Sequence, residues 1–327
     1  MIESIPKRFL STFADNMEAM LEYRKALGFS ASKYVYELQN FDRYTADNFP
    51  QRNILDREMV TGWLNQHLNK SRKGMIEKAI AIRHLGKYLS AIGKEAYILP
   101  DEYVVREPTS FTPYLFSDDE LARLFNAADH FKKSETNPLV SKIPPVLFRL
   151  IYTCGLRPNE GRKLLRENIN LKTGEILLTN TKRKKERVVV MSDDMLALCK
   201  RYVGLLDSLK CESNYFFPDK DGNAFGVQKI ERMLKKCWCD ANPNIAEDKL
   251  PNIRVYDLRH RFASAVLCKW LDEKRNLNNK LPYLCAYMGH DKISDTAYYI
   301  HILPERLVKS AGVNWNALEE IIPGVIL

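Results

Sequence analysis

Two arginines, a basic run, a histidine and a pair of adjacent tyrosines are the residues of this 327-residue chain whose types could do chemistry. Arg157 stands in TCGLRPNE and Arg259 in VYDLRHRFAS. A guanidinium is permanently charged and offers planar, paired N–H groups that suit phosphate oxygens in a way an ammonium cannot reproduce. Lys182, Arg183, Lys184, Lys185 and Arg187 crowd the segment NTKRKKERVVV, and an amine, unlike a guanidinium, can pass its proton on. His290 follows Gly289 in YMGHDKIS, and Tyr298 and Tyr299 stand together in DTAYYIHI. A phenol attacks only when relieved of a proton whose ordinary pKa is about 10. Neighbours on a helix point about 100° apart, so a site can use one of the two tyrosines and not both. Each residue also has a structural alternative: Arg157 could open a helix paired with Glu160, Arg259 could pair with Asp257, the basic run could be a solvated turn, and His290 could serve packing alone.

The elements that must position these groups are mostly helical. Residues 15–27 place Met17, Met20, Leu21 and Leu27 at helical spacing before Gly28, and residues 32–47 repeat the pattern with Tyr34, Val35, Leu38, Phe41 and Tyr44. Asp56 is suited to cap a third helix carrying Val60, Trp63, Leu64 and Leu68, and Ser71 to open a fourth that runs to about Ile92. The fourth carries Arg72, Lys73, Lys78, Arg83 and Lys87 among Ile76, Ile80, Ile82, Leu85 and Leu89. Such a basic face over an apolar seam suits a helix that meets phosphates, and equally an ordinary solvated helix. REPTSFTPYLF, with Pro108 and Pro113, reads as an extended linker over 106–116. Ser117 with Glu120 then forms a capping box that opens a second domain, 117–327. Within it, Val146–Tyr152 is a buried helix leading to Arg157, and Pro158 starts another. Glu175–Thr179 and Arg187–Met191 read as two strands joined by the basic turn, followed by helices at about 227–240, 257–271, 281–288 and 294–300. The expected class is mainly α with one small β-hairpin (α+β).

Composition narrows the partner. The chain has 50 Lys+Arg against 41 Asp+Glu, a net charge of +9, which favours a polyanion. Its 14 Gly and 15 Pro exclude collagen-like or disordered architecture. No apolar stretch approaches the roughly 20 residues of a membrane span, and the N-terminus lacks a secretory pattern, so a cytoplasmic protein is expected. Seven cysteines at irregular spacing suggest reduced thiols. Cys237 and Cys239 form a C-x-C without a partner pair, and no metal is expected.

Together and in this order, the segments around Arg157, Lys182, Arg259, His290 and Tyr299 resemble the tyrosine recombinase (phage integrase) family. The resemblance spans the second domain, and the helical first region (1–105) with its linker fits the family's two-part layout. It implies a DNA clamp made of a helical core-binding domain and a catalytic domain. The implied reaction cuts and rejoins DNA through a covalent 3′-phosphotyrosine, with neither metal nor nucleotide cofactor. Arg157 and Arg259 would stabilise charge on the non-bridging oxygens, His290 would donate to one of them, and Tyr299, nine residues beyond His290, would be the nucleophile. Lys182 would protonate the leaving 5′-oxygen, with Lys184 the alternative, and Arg183, Lys184 and Lys185 would meet DNA together with the basic residues of the fourth helix.

One position departs from the family. Where a histidine commonly stands three residues before the second arginine, this chain has Tyr256. A phenol can donate a hydrogen bond to phosphate but is a poor base near neutral pH, so Tyr256 either positions the phosphate or is a core aromatic. Glu160 is expected to support the site, and His260 to pack inside and orient its neighbours. The resemblance further implies a tetramer on two duplexes, a tail after Tyr299 passed between protomers, a prokaryotic mobile element working at the nucleoid, and an accessory directionality factor as a candidate partner. An inactive DNA-binding relative and a type IB-like topoisomerase are the alternatives.

Overall fold

A computed structural model describes residues 8–29, 32–67, 72–104, 113–132, 138–179 and 186–301. The chain divides into two compact units, Met1–Ser110 and Phe111–Leu327. Lys182, Arg183, Lys184 and Lys185, most of the expected linker, and the tail from 302 lie outside the described residues.

The first unit holds α1 (Ala14–Ala26), α2 (Ser32–Asn48), α3 (Arg57–Asn65) and α4 (Arg72–Ala91). Their apolar stripes meet in one core, with Met17 and Met20 of α1, Leu38 and Phe41 of α2, Met59 and Trp63 of α3, and Ile82, Leu85 and Leu89 of α4. Trp63 stands edge-on to Phe41 at 5.2 Å between centroids, a geometry that adds to the area both rings bury. Asp56 caps α3 by accepting from the Met59 N–H at 2.8 Å.

Helix α4 departs from the expected basic face. Lys78 lies four, seven and eleven residues before Ile82, Leu85 and Leu89, so helical geometry carries it into the apolar stripe. Its stem is buried, its ammonium pairs with Glu37, and it lies over the Trp63 ring. Arg83 is turned to Asp101 at 2.5 Å and to the Leu99 carbonyl. Of the five basic residues expected to face phosphate, Lys78 and Arg83 therefore serve the fold, while Arg72 and Lys87 are exposed. Removing one member of a buried pair strands the other charge. We expect Lys78→Ala to destabilise the full chain by about 3 kcal/mol in urea unfolding, and Lys87→Ala to stay within about 0.5 kcal/mol of the parent.

The second unit is helical around a single hairpin. Tyr114 and Phe116, at the end of the expected linker, pack on Trp238 at 5.8 and 5.5 Å, and Phe116 is buried. The packing of these rings holds 113–116 against this unit. Ser117 and Glu120 form the capping box of α5 (Asp118–Asp129). Helix α6 (Ile143–Cys154) is apolar on nearly every face, which makes it the central helix, packed against α5, α7 (Pro158–Arg162), α8 (Asp193–Ser208), α9 (Val227–Asp240) and α10 (Val255–Asp272). Strands β1 (Glu175–Leu178) and β2 (Arg187–Val190) pair antiparallel, with Glu175 opposite Val190 and Leu178 opposite Arg187. Ile176, Leu178 and Val189 face the core. Helices α11 (Leu277–Met288) and α12 (Ile293–His301) close the described chain and share a smaller core with α10. No helix among the described residues is long and apolar enough to cross a membrane, and all seven cysteines are free.

Candidate active site

The site forms where three helix ends and one strand end converge. Helix α6 stops at Gly155, whose φ of +62° is left-handed, and an added Cβ there would lie 2.6 Å from the Phe262 ring. The chain turns through Leu156 into α7, with Arg157 at its N-cap and Pro158 at its first position. The Arg157 N–H donates to Glu160 Oε2 and its guanidinium to Glu160 Oε1, both at 2.8 Å. The other side of that guanidinium donates to the Gly289 carbonyl at the C-terminal end of α11. Arg157 thus satisfies its structural alternative, the Glu160 pair, while staying partly accessible.

Arg259 is fully buried on α10. It donates to the Gly155 and Met288 carbonyls at 2.6 Å each and to His290 Nε2 at 2.9 Å. Its expected alternative partner is absent, because the Asp257 carboxylate caps α10 by accepting from Arg254 N–H at 2.8 Å. Carbonyls at the ends of α6 and α11 carry the partial negative charge of a helix C-terminus, which is why a guanidinium can sit there out of water.

His290 follows Gly289, a left-handed C-cap at φ +66°. With Nε2 accepting from Arg259, Nδ1 carries the proton and donates to the buried Thr296 hydroxyl at 2.8 Å. Tyr299 is 2 % exposed, its ring 6.0 Å from that of His290 and 5.3 Å from that of His260. Tyr256, one turn before His260 on α10, lies 4.9 Å from it. Tyr298 is 41 % exposed, with its ring edge-on to that of Tyr299 at 6.1 Å.

Two participants stand outside the expected site residues. Arg187 opens β2 and binds Glu160 bidentately, at 2.9 and 2.7 Å, while donating to the Tyr287 carbonyl at 2.8 Å. Period-2 alternation was its signal, since it shares the face of buried Val189 and Met191. Thr296, on the first turn of α12, had no signal of its own. Expected Arg157, Tyr256, Arg259, His290 and Tyr299 all come together here, whereas Lys182 cannot be described.

The electrostatics follow from this packing. Three guanidiniums, those of Arg157, Arg187 and Arg259, surround one carboxylate, and the cluster keeps an excess of two positive charges. Burial alone would raise Glu160, but the Arg187 and Arg157 contacts hold it down at about 2. Burial and the nearby arginines push His290 to about 3 and His260 to about 4, so both are neutral near pH 7. Burial pushes the Tyr299 phenol up to about 12 against the pull of Arg259. Such a cluster suits an oxyanion whose charge grows during reaction, as on a phosphoryl group under attack.

The neutral histidines have a thermodynamic consequence. In the unfolded chain they take up protons near pH 6.5, in the folded chain only near 3 to 4, so their stabilisation is complete above 6.5 and is lost as pH falls through that window. We expect Tm to fall by about 5 °C from pH 7 to pH 5, and His290→Gln to flatten the slope.

Comparison with known proteins places the chain in a family. The sequence model of the phage integrase family matches residues 115–306. A Sinorhizobium fredii protein designated integrase/recombinase y4rB is 26 % identical over 309 residues, covering 92 % of this chain and 96 % of its own. The tyrosine recombinase XerD of Staphylococcus aureus is 23 % identical over 285 residues, 84 % of this chain and 88 % of its own. Among solved structures, the XerH site-specific recombinase bound to palindromic difH substrate shares the fold, with TM-score 0.61, 19 % identity, and coverage of 94 % of this chain and 85 % of that one. By the family match over more than half its length, the chain belongs to the phage integrase family and is a tyrosine site-specific recombinase.

Proposed function

We propose that this recombinase cuts and rejoins duplex DNA through a 3′-phosphotyrosine at Tyr299. The observation that carries the reading is a buried phenol against a guanidinium cluster that is hydrogen-bonded to a neutral histidine. Arg157 and Arg259 hold the non-bridging oxygens and stabilise the charge that gathers as the Tyr299 oxygen attacks. His290, whose Nε2 accepts from Arg259, orients that guanidinium toward the phosphate, and the Tyr256 phenol positions the phosphate. Lys182, or Lys184, in the hairpin turn protonates the departing 5′-oxygen. The domains are 1–105 for core binding, 106–116 as the linker, its last four residues packed on the catalytic domain, and 117–327 as that catalytic domain. They clamp DNA with Arg72, Lys73 and Lys87 on one side and Arg183, Lys184 and Lys185 on the other. Two duplexes are joined in a tetramer to move a genetic element within the bacterial cytoplasm.

The test joins two plasmids that each carry the sequences flanking the coding region, in buffer with chelator. Site-dependent exchange supports the reading. Relaxation of a plasmid lacking those sequences, without exchange, would replace it by a topoisomerase. In the same binding assays, Lys87→Ala is expected to reduce the log-affinity against log-salt slope by about 1, as for one lost phosphate contact. Lys78→Ala should leave the slope unchanged.

A further inference from the structure

The cluster leaves the phenolic proton of Tyr299 without an evident destination. Among the described residues at the site, most candidate acceptors are already occupied. His290 accepts from Arg259 at Nε2 and is bonded to Thr296 at Nδ1. The Glu160 oxygens take Arg157 and Arg187, and Asp257 takes Arg254. Tyr256 is a phenol with no advantage over Tyr299 as a base. His260 differs from all of these. It is buried on α10, its ring lies 5.3 Å from Tyr299 and 4.9 Å from Tyr256, and its Nδ1 is sealed from solvent with no hydrogen-bond partner.

A buried, unpartnered ring nitrogen is costly to keep unless something uses it. We propose that His260 Nδ1 is the base that takes the Tyr299 proton, supplying from one helical turn further along the imidazole that position 256 lacks. The proposal rests on Tyr299 being the nucleophile. As the phosphate engages the arginines, the Tyr299 O–H bond breaks toward His260 Nδ1 and the phenolic oxygen bonds to phosphorus. The bond from phosphorus to the 5′-oxygen breaks, and that oxygen takes a proton from the hairpin lysine. In rejoining, the 5′-hydroxyl gives its proton back to the hairpin lysine and bonds to phosphorus, the bond from phosphorus to the Tyr299 oxygen breaks, and His260 returns its proton to that oxygen. Such a contact is commonly absent before substrate binds and tightens in the reacting complex. The groups facing His260 are Arg254, Tyr256 and Arg259 on its own helix, Tyr299 from α12 and His290 from the turn before it. Burial first, and then the cations among them, keep its imidazole neutral, as a base must be.

The test is single-turnover cleavage of nicked suicide duplexes, bearing the flanking sequences, by the full chain from pH 6 to 10. His260→Gln is expected to slow cleavage about 10²-fold to 10³-fold near pH 7, and the loss should shrink as pH rises and hydroxide removes the proton. Incorporating 3-fluorotyrosine at position 299, which acidifies the phenol, should recover part of the rate. A loss that is equal at every pH, with no recovery by the fluorinated phenol, would make His260 a packing residue and overturn the proposal. Should the variant fail to fold, the fluorinated phenol in the otherwise unchanged chain decides: a rate that rises about tenfold per unit of lowered phenol pKa means no base is in place. An adduct that persists in Tyr299→Phe would remove the nucleophile itself, a result distinct from either.

Discussion

Tyr299→Phe is expected to abolish the denaturation-resistant protein–DNA adduct, lowering cleavage by about 10⁴-fold or more, whereas Tyr298→Phe keeps cleavage within about threefold of the parent. Both variants lose one oxygen and keep the ring, so the comparison isolates the hydroxyl. Successive residues on α12 diverge by about 100°, and the fold assigns the two rings opposite surroundings. Tyr299 is 2 % exposed against His260 and His290, while Tyr298 is 41 % exposed. The buried phenol also carries the electrostatic cost that catalysis must overcome. Burial pushes its pKa to about 12 without substrate, against the pull of Arg259 and Arg157. A phenol so placed is inert until its proton has a destination, which protects a nucleophile that would otherwise meet water and stray electrophiles. The measurement is gel separation of adducts on suicide duplexes, with unfolding curves to show that both variants are folded. An adduct lost only with Tyr298→Phe would shift the reading by one residue and place the reactive phenol on the exposed side of α12.

The physical origin of what could and could not be read from sequence is visible at particular residues. The amphipathic helices of the first unit follow from apolar residues every third or fourth place; α1, α2 and α4 lie within a residue or two of their expected spans, while α3 ends at Asn65, short of the Leu68 it was expected to carry. Strong start signals also held, since the Ser117–Glu120 box and the Asp56 cap both form. Helix α8 (Asp193–Ser208) was absent from the reading although Ser192 caps it, because the run after β2 was judged by its strand and not by the cap that follows. Helix α11 begins four residues early, at Leu277, since Asn276 caps it and Pro282 is tolerated inside. Charge was the least legible property. Lys78 and Arg187 look like solvated cations in a list of basic residues, but helical and strand periodicity put each on an inward face, where a carboxylate from another element meets it. Glu37 and Glu160 are remote in sequence from those partners, so pairing becomes visible only in three dimensions. The local motifs around Arg157, Arg259 and His290 were legible because each is a helix end, where cap, glycine and functional side chain are adjacent in the chain.

Glu160 is expected to be the residue whose loss most weakens the second unit. Its carboxylate is the only anion in contact with Arg187 and Arg157 among the described residues, and it lies 4.0 Å from Arg259. Glu160 and Arg187 are both nearly sealed from water, so screening by solvent is weak and the bidentate geometry is well satisfied. Removing the carboxylate leaves Arg187 buried with only the Tyr287 carbonyl, and an uncompensated buried charge costs about 3 to 5 kcal/mol. Glu160→Ala should therefore shift the urea midpoint by that free energy at pH 7, and Glu160→Gln, which can still accept one hydrogen bond, by less. The pH dependence has a fixed sign. The folded carboxyl titrates at about 2 and the unfolded one near 4.5, so the advantage of the parent is present above about 4.5 and fades as pH falls toward 2. Combining Glu160→Leu with Arg187→Met should cost much less than the sum of the two single changes, because the pair is removed together with its desolvation. A Glu160→Ala variant losing under about 1 kcal/mol would mean that the arginines are held by the carbonyls of α6 and α11 alone. The activity then separates the two roles of the cluster. If Glu160 only anchors, Glu160→Gln should retain adduct formation at temperatures where it is folded, and the surplus positive charge should tighten DNA binding at low salt. If Glu160 also sets the angle at which Arg157 meets phosphate, cleavage should fall while binding stays, because an orientation error of the guanidinium affects the transition state more than the ground state.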